Sequence, residues 1–228
     1  MLLFVLACAE PEVPTCESED AACFQGFFRT LLGADLEGMR LCTPELDLDC
    51  VETDGDGAFS LPGLPLDTNV VVTADHDDHP PVVFAQTTAM DWYDWYKVGV
   101  PTAVMDQNAS ALEVELDPGK GHVLFLVWEG LNLDGVDTPT VEGVVIKGAS
   151  GQPFYGNALG LADPDRTATS SAGSGGFLNV EPGSLALEVQ GPNGPCGLET
   201  MFHFPTVDGR IPVPILAGRT TAIDVQCP

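Results

Sequence analysis

The chain has 228 residues, of which 44% are hydrophobic, and 8 Lys and Arg against 34 Asp and Glu give a formal net charge of −26. The hydrophobic fraction excludes a wholly disordered chain, and the length allows one large domain or two ordinary ones. So strong a negative charge repels phosphate backbones and anionic headgroups, which excludes nucleic acid as a partner and leaves cations and basic surfaces.

The chain begins with a short apolar run that ends at Ala7 and Cys8. A small residue before a cysteine is similar to the end of a bacterial lipoprotein signal, where the cysteine carries the lipid. We therefore predict that residues 1–8 are a signal remnant, that Cys8 is lipidated, and that the acidic, Pro-containing residues 9–22 are a flexible tether. The alternative is an apolar N-terminus with a free thiol.

The seven cysteines fit this interpretation. With Cys8 as the anchor, the remaining cysteines are even in number and can all pair, although the sequence alone leaves their connectivity open. Their local spacing favours disulfides between Cys16 and Cys23, Cys42 and Cys50, and Cys196 and Cys227. A zinc site is the weaker alternative because the chain has no Cys-x-x-Cys motif. Disulfides indicate an oxidising compartment such as a periplasm or cell surface.

Short strands with turn residues between them are predicted from residue 23 to residue 88. The segment 36–42 and the segment 49–53 are predicted to form a hairpin closed by Cys42–Cys50. The central motif is Thr-Asp-Gly-Asp-Gly-Ala-Phe at 53–59, which predicts a strand, a tight turn and a second strand. Ser-Ala-Gly-Ser-Gly-Gly-Phe at 171–177 aligns with it without a gap, so that Thr53 matches Ser171. This repetition predicts a duplicated unit.

A helical connector is predicted over residues 89–110. Thr88 and Asp91 have the spacing of a capping box, and Trp92, Trp95 and Tyr96 would share one helical face before Gly99 ends the helix. A second helical piece is predicted over 102–108. These aromatic side chains are candidates for stacking on a sugar, although packing of a helix against a sandwich explains them better.

Residues 111–228 are predicted to form a second all-β unit. Residues 112–116 alternate between apolar and acidic side chains as a strand does, and the run 122–128 is apolar on both faces, which is typical of a central strand. Further strands are predicted at 141–147, 154–161, 184–190, 201–204 and 220–227.

Taken together, the first unit resembles the carboxypeptidase regulatory-like domain, a transthyretin-like β-sandwich. The resemblance rests on Gly-Met-Arg-Leu at 38–41, the motif at 53–59, Leu-Pro at 64–65 and the Val run at 70–72. The second unit is similar through Gly-Val-Val-Ile at 143–146 and residues 171–177. The resemblance implies an all-β chain of two tandem transthyretin-like or Ig-like antiparallel sandwiches, at 23–88 and 111–228. It also implies an extracytoplasmic, non-catalytic module for attachment, assembly or binding.

Two acidic stretches are weak candidates for a metal site. One is Asp54 and Asp56 in the first Gly-rich turn, where the EF-hand pattern fails because Gly63 replaces the twelfth-position Glu. The other comprises Asp75, His76, Asp78 and His79, whose donors suit Ca²⁺, Mn²⁺ or Zn²⁺ if a distant residue completes the set. Solvated polar loops are the simpler explanation of both stretches, so no cofactor is predicted and Ca²⁺ is kept as an alternative.

No residue pattern nominates a catalytic group, because nucleophile-elbow, P-loop and His-Glu-x-x-His motifs are missing from the sequence. We therefore expect a lipid-anchored structural or binding module at a bacterial outer membrane, cell surface or periplasm. Its expected partners are the membrane, through the anchor, and a protein or carbohydrate at the cell surface. The alternative is a surface adhesin that binds carbohydrate or Ca²⁺.

Overall fold

The computed structural model describes residues 20–30, 33–89, 92–130, 139–197 and 204–227, with the side chains of residues 92–96 left out of the description. The elements of its first half are β1 (Ala22–Thr30), β2 (Arg40–Cys42), β3 (Val51–Glu52), β4 (Ala58–Leu64), β5 (Asn69–His76), β6 (His79–Thr87), β7 (Trp92–Gly99) and α1 (Thr102–Ala111). Those of its second half are β8 (Gly121–Glu129), β9 (Val145–Lys147), β10 (Gln152–Gly156), β11 (Ala162–Asp163), β12 (Ser174–Val180), β13 (Gly183–Gly191), β14 (Gly194–Pro195), β15 (Ile211–Ile215) and β16 (Thr220–Cys227). In its coarse form, the all-β prediction is confirmed.

The strands of the described residues form three sheets. A three-stranded sheet has the order β4-β1-β7, and a nine-stranded sheet has the order β11-β10-β12-β8-β16-β6-β5-β2-β3. In the four-stranded sheet, β13 pairs with β14, β15 and β9. The predicted hairpin of β2 and β3 is confirmed by the antiparallel pairs Arg40–Glu52 and Leu41–Val51. The run predicted as a central strand is also confirmed, because β8 is paired on both sides, with β12 and with β16.

Two hydrophobic clusters lie on opposite faces of the nine-stranded sheet. The first joins β1 and β4 to β5 and β6, and the second joins β8, β12 and β16 to β13 and β15. On β16, Ile223 and Val225 belong to the second cluster, whereas Ala222 packs against the first. Because side chains alternate along a strand, β16 presents one face to each cluster. One strand therefore connects both cores.

The same hydrogen bonds surround one threonine in each half of the chain. Thr53 Oγ1 donates to Leu36 O (2.6 Å) and accepts from Met39 N (2.9 Å). Thr169 Oγ1 donates to Val141 O (2.7 Å) and accepts from Val144 N (2.9 Å). The backbone N–H groups of Gly38 and Gly143 donate to the carbonyls of Thr53 and Thr169 respectively. The match between 38–41 and 143–146 therefore extends to their hydrogen bonds.

The gap-free alignment of Thr53 with Ser171 is wrong, because Thr53 corresponds to Thr169. The turns that follow confirm the shift, since Gly57 N donates to Asp54 O and Gly173 N donates to Ser170 O. The tight turn predicted at 53–59 is present between β3 and β4. β3 belongs to the nine-stranded sheet and β4 to the three-stranded sheet, so this turn carries the chain from one sheet to the other.

The helix predicted over residues 92–99 is wrong, whereas the short helical piece predicted over 102–108 is present as α1. β7 is a strand that pairs in parallel with β1 from Phe24–Trp92 to Thr30–Gly99. Thr88, the expected helix cap, instead accepts from Thr68 N (2.8 Å) and donates to Pro65 O (2.5 Å). Its hydroxyl is therefore used by the turn between β4 and β5. A helix capped at Thr88 would lose these bonds and the whole ladder with β1.

The strand predicted at 112–116 is irregular chain in the structure. Leu112, Val114 and Leu116 pack with α1 against the sheet beside Phe154 and Leu178. Asn108 of α1 accepts a hydrogen bond from Ala162 N through Oδ1 (2.9 Å), which ties the helix to β11. Residues 102–116 therefore cover the face of β8, β10 and β12 that points away from the second cluster. In the described residues, α1 is too short to span a membrane.

Candidate functional site

The stretch that combines acidic residues with histidines lies at the tip of the hairpin between β5 and β6. Asp75 and His76 end β5, Asp77 and Asp78 form the turn, and His79 begins β6 opposite His76. Residues 70–74 are buried, whereas the turn is exposed. The hairpin therefore holds the polar residues at its solvent end.

Asp75 is engaged in a bidentate ion pair. Arg219 donates from Nη1 to Asp75 Oδ1 (2.8 Å) and from Nη2 to Asp75 Oδ2 (3.2 Å). Arg219 directly precedes β16, so the pair connects the C-terminal strand to β5. A carboxylate held by both oxygens in this way is poorly placed to bind a metal ion. Asp75 therefore belongs to the junction of the two clusters.

The two histidines of the hairpin are in contact. The distance from His76 Nδ1 to His79 Nδ1 is 3.3 Å, and the ring planes meet edge to face with centroids 5.1 Å apart. His76 Nε2 lies 3.2 Å from Glu37 O, and Asp78 N donates to His76 Nδ1 at 3.1 Å. Burial and the neighbouring His76 lower the pKa of His79, and Asp78 partly opposes this shift.

A second polar group lies at the same junction. Lys97 of β7 is buried, with Nζ 3.8 Å from Asp224 Oδ2 of β16 and 5.2 Å from the centroid of the Phe84 ring. Asp224 Oδ1 accepts a hydrogen bond from Trp128 Nε1 (3.1 Å). Burial lowers the pKa of Lys97, while the charge of Asp224 acts in the opposite direction. An ion pair thus connects the three-stranded sheet to the shared strand.

The sequence reasoning missed Lys97, Arg219 and Asp224. The sequence did hold a signal for Lys97 and Arg219. Lys and Arg are scarce in this acidic chain, and each of these two residues lies within or next to an apolar strand. A basic residue in such a place usually has a specific partner. Only the three-dimensional structure shows which of the 34 acidic residues that partner is.

The other candidate metal residues are used to close a turn. Asp54 Oδ1 accepts hydrogen bonds from Asp56 N (3.0 Å) and Ala58 N (2.9 Å), and Asp56 itself is exposed. Among the residues that the structure describes, no three His, Cys, Asp or Glu side chains converge as a metal-binding group. Of the six candidates, only His76 and His79 are brought together by their side chains.

Two of the predicted disulfides are present, Cys42–Cys50 and Cys196–Cys227, with Cα–Cα distances of 4.5 and 4.4 Å. Cys23 is also disulfide-bonded, and its predicted partner Cys16 lies outside the described residues, as does Cys8. Trp92, Trp95 and Tyr96 are on β7, so their shared helical face is wrong. Their side chains lie outside the description, and sugar stacking stays a prediction.

Two shallow cavities open on the surface of the described residues. One, of about 270 Å³, is lined by Glu113, Phe154, Asp163 and Arg166 beside α1. Within it, Arg166 Nε lies 3.6 Å from Asp163 Oδ2, so the charges of this pair are already matched. The other, of about 260 Å³, is lined mainly by Leu46, Leu48 and Leu64 at the end of the first cluster. Neither contains a convergent set of catalytic groups.

No model of a known protein family matches the chain, and a comparison with curated proteins gives no match. Among solved structures, the TIE protein of Bacillus anthracis is 12% identical with a TM-score of 0.28, and the match covers 91% of this chain and 34% of that one. The minor pilin GBS52 of Streptococcus agalactiae is 14% identical with a TM-score of 0.26, covering 91% of this chain and 97% of that one. A streptococcal ancillary pilin is 12% identical with a TM-score of 0.26, covering 92% and 63%.

The chain thus spans about a third of the length of the TIE protein and nearly all of GBS52. At these identities and TM-scores, the likenesses carry no argument about fold or function. None of the three is described as a carboxypeptidase regulatory-like or transthyretin-like protein, so that resemblance stays a prediction.

Proposed function

We propose that the chain is a non-catalytic, extracytoplasmic structural or binding module, anchored through Cys8 and built from two duplicated transthyretin-like sandwich units. The matching hydrogen bonds of Thr53 and Thr169 support the duplication. The parallel ladders of β1 with β7 and of β8 with β16 support it as well. The polar groups at the junction are paired with one another, which favours a structural role for them.

The observation that carries the proposal is the nine-stranded sheet shared by both clusters. β16 pairs with β8 along its whole length and with β6 through Thr220–Val82 and Thr221–Val83. The Arg219–Asp75 and Lys97–Asp224 pairs join the same elements. A shared sheet with a smaller sheet on each face fixes the orientation of the two units, which suits a spacer or a rigid binding scaffold.

Rigidity of the junction is tested by residual dipolar couplings of backbone amides in the two clusters. We expect a single alignment tensor to fit both sets of couplings, because the two units share strands. Two tensors of clearly different magnitude would show units that move independently, and the scaffold proposal would then fail.

Anchoring and location are tested separately by intact mass spectrometry of protein expressed with its upstream gene region in a Gram-negative host. We expect a product that starts at Cys8, carries acyl chains, and gains six hydrogens when its disulfides are reduced. A Cys8→Ser variant should lose the acyl chains and keep the disulfides. A wild-type product with free thiols and no lipid would overturn both the anchor and the location.

A further inference from the structure

We propose that His76 and His79 form a two-imidazole chelate for a divalent transition-metal ion of the Zn²⁺, Ni²⁺ and Cu²⁺ class, at the tip of the β5–β6 hairpin. The remaining coordination positions would be taken by water. This site is independent of the lipid anchor and of the proposed scaffold role.

The spacing of the two rings fits such an ion. Two nitrogen ligands at about 2.0–2.1 Å from a tetrahedral metal lie roughly 3.3–3.4 Å apart. The Nδ1 atoms of His76 and His79 are separated by 3.3 Å. Their backbones are fixed by the β5–β6 ladder, in which His76 is paired with His79. The hairpin therefore supplies the separation before any ion arrives.

The hydrogen bonds of His76 identify Nδ1, the ring nitrogen in contact with His79, as the one that carries the lone pair. Glu37 O can only accept, so His76 Nε2 carries the proton and donates it across 3.2 Å. Nδ1 is then the unprotonated nitrogen, and its lone pair accepts from Asp78 N at 3.1 Å. An ion would displace this hydrogen bond, and His79 would carry its own proton on Nε2. A ring nitrogen that donates to a carbonyl while the other faces the metal is the usual arrangement of a histidine ligand.

The surroundings favour a cation of this class over Ca²⁺. The net charge of −26 attracts cations to the surface. Calcium prefers several oxygen ligands, and Asp75 is already committed to Arg219. Imidazole suits Zn²⁺, Ni²⁺ and Cu²⁺.

The test is calorimetric titration of the oxidised, untagged full chain in a Cys8→Ser background with ZnCl₂, NiCl₂ and CaCl₂. We expect one Zn²⁺ or Ni²⁺ per chain at a site that CaCl₂ does not fill. His76→Ala and His79→Ala should each weaken binding at least about tenfold, as loss of a ligand should cost no less than loss of its supporting contact. The double variant should lose little more than either single one, because one remaining ring no longer chelates.

Two variants are the matched controls. His203→Ala removes a histidine elsewhere in the sequence, and Asp77→Asn removes an acidic residue of the turn between His76 and His79. Both should retain wild-type affinity. Binding that survives His76→Ala and His79→Ala, or the lack of any stoichiometric binding to wild type, would overturn the proposal.

A second readout avoids substitutions. Long-range ¹H–¹⁵N spectra should show His76 as the Nε2–H tautomer, and Zn²⁺ should shift the Nδ1 signals of His76 and His79 while leaving His122 unchanged.

Discussion

At the scale of single residues, the chain uses a buried threonine to close each half of the molecule. The hydroxyl groups of Thr53 and Thr169 each satisfy one backbone N–H and one backbone carbonyl that no strand ladder serves. Buried backbone groups without partners are costly, so an apolar residue of the same shape is a poor replacement. The two equivalent threonines should therefore contribute equally to the free energy of unfolding.

We predict that Thr53→Val and Thr169→Val each lower the free energy of unfolding by about 2 kcal/mol, since two buried backbone groups lose their partner. The measurement is urea unfolding followed by circular dichroism. Thr167→Val, at an exposed position near Thr169, is the control and should change stability by less than about 0.5 kcal/mol. Equal effects at Thr167 and Thr169 would contradict the role assigned to the hydroxyl.

Glycine is required at the equivalent turn positions 57 and 173. Their φ angles are 74° and 61°, and a Cβ would lie 2.4 Å from Phe28 O and 2.6 Å from Val127 O respectively. We expect Gly57→Ala and Gly173→Ala each to cost at least about 2 kcal/mol, because left-handed strain adds to a clash with backbone. Gly55→Ala, with open space around its Cβ, should be nearly neutral in the same unfolding assay.

His122 makes the stability of the folded state depend on pH. Burial lowers the pKa of its imidazole, and its Nδ1 accepts a hydrogen bond from Asn179 N (3.2 Å), which protonation would break. The unfolded pKa is about 6.5. The contribution of His122 is therefore complete above that pH and is lost as pH falls through the lower folded-state pKa.

We expect wild type to lose more stability between pH 7.5 and pH 5 than His122→Asn, in which an amide oxygen takes the place of Nδ1. The quantity to compare is the change in the free energy of unfolding between these pH values for each protein. Both proteins have the same carboxylates, so the comparison removes the contribution of those carboxylates to the pH dependence of stability. An identical pH dependence in the two proteins would show that His122 does not titrate between the folded and unfolded states.

At the scale of elements, the Cys42–Cys50 and Cys196–Cys227 disulfides close loops of very different length. Cys42 and Cys50 are separated by 8 residues, and Cys196 and Cys227 by 31, with the latter pair attaching the end of β16 to the chain after β14. A longer loop gains more freedom in the unfolded chain when the bridge is removed. The C-terminal bridge should therefore stabilise the fold more strongly.

We predict that replacing Cys196 and Cys227 by Ala costs about 4 kcal/mol, against about 2.5 kcal/mol for Cys42 and Cys50. Chemical unfolding of both double variants measures the difference, with wild type under non-reducing conditions as the reference. A larger loss from the short loop would mean that packing around Cys42 and Cys50 outweighs chain entropy.

At the scale of the whole molecule, the shared sheet should make unfolding cooperative. Separation of the clusters would expose both faces of β16 and leave the Lys97–Asp224 and Arg219–Asp75 pairs unmade. We expect one calorimetric transition with an enthalpy of about 0.7 kcal/mol per ordered residue and a van't Hoff enthalpy equal to it. Two resolved transitions would show that each unit is stable without the other.

Local patterns were sufficient wherever a contact is close in sequence. The β2–β3 hairpin and its Cys42–Cys50 bridge followed from spacing, and the apolar run of β8 indicated a strand with neighbours on both sides. The connector failed because Thr88 and the aromatic residues after it have a helical spacing, whereas the partner that makes β7 a strand is β1, far back in the chain. The alignment of the repeat failed because the glycines and phenylalanines of the two motifs match best when Thr53 is placed opposite Ser171. This alignment is displaced by two residues from the one in which Thr53 is equivalent to Thr169.

The sequence by itself determined the strand-rich class, the turns, the acidic surface and the local disulfide, since these depend on composition and on neighbours along the chain. Only the tertiary structure decided which sheet each strand joins, that β16 serves two cores, and that Asp75 faces Arg219 while His76 faces His79. These outcomes depend on pairing between distant segments, whose free energy is shared over a whole ladder and is not encoded at any one position.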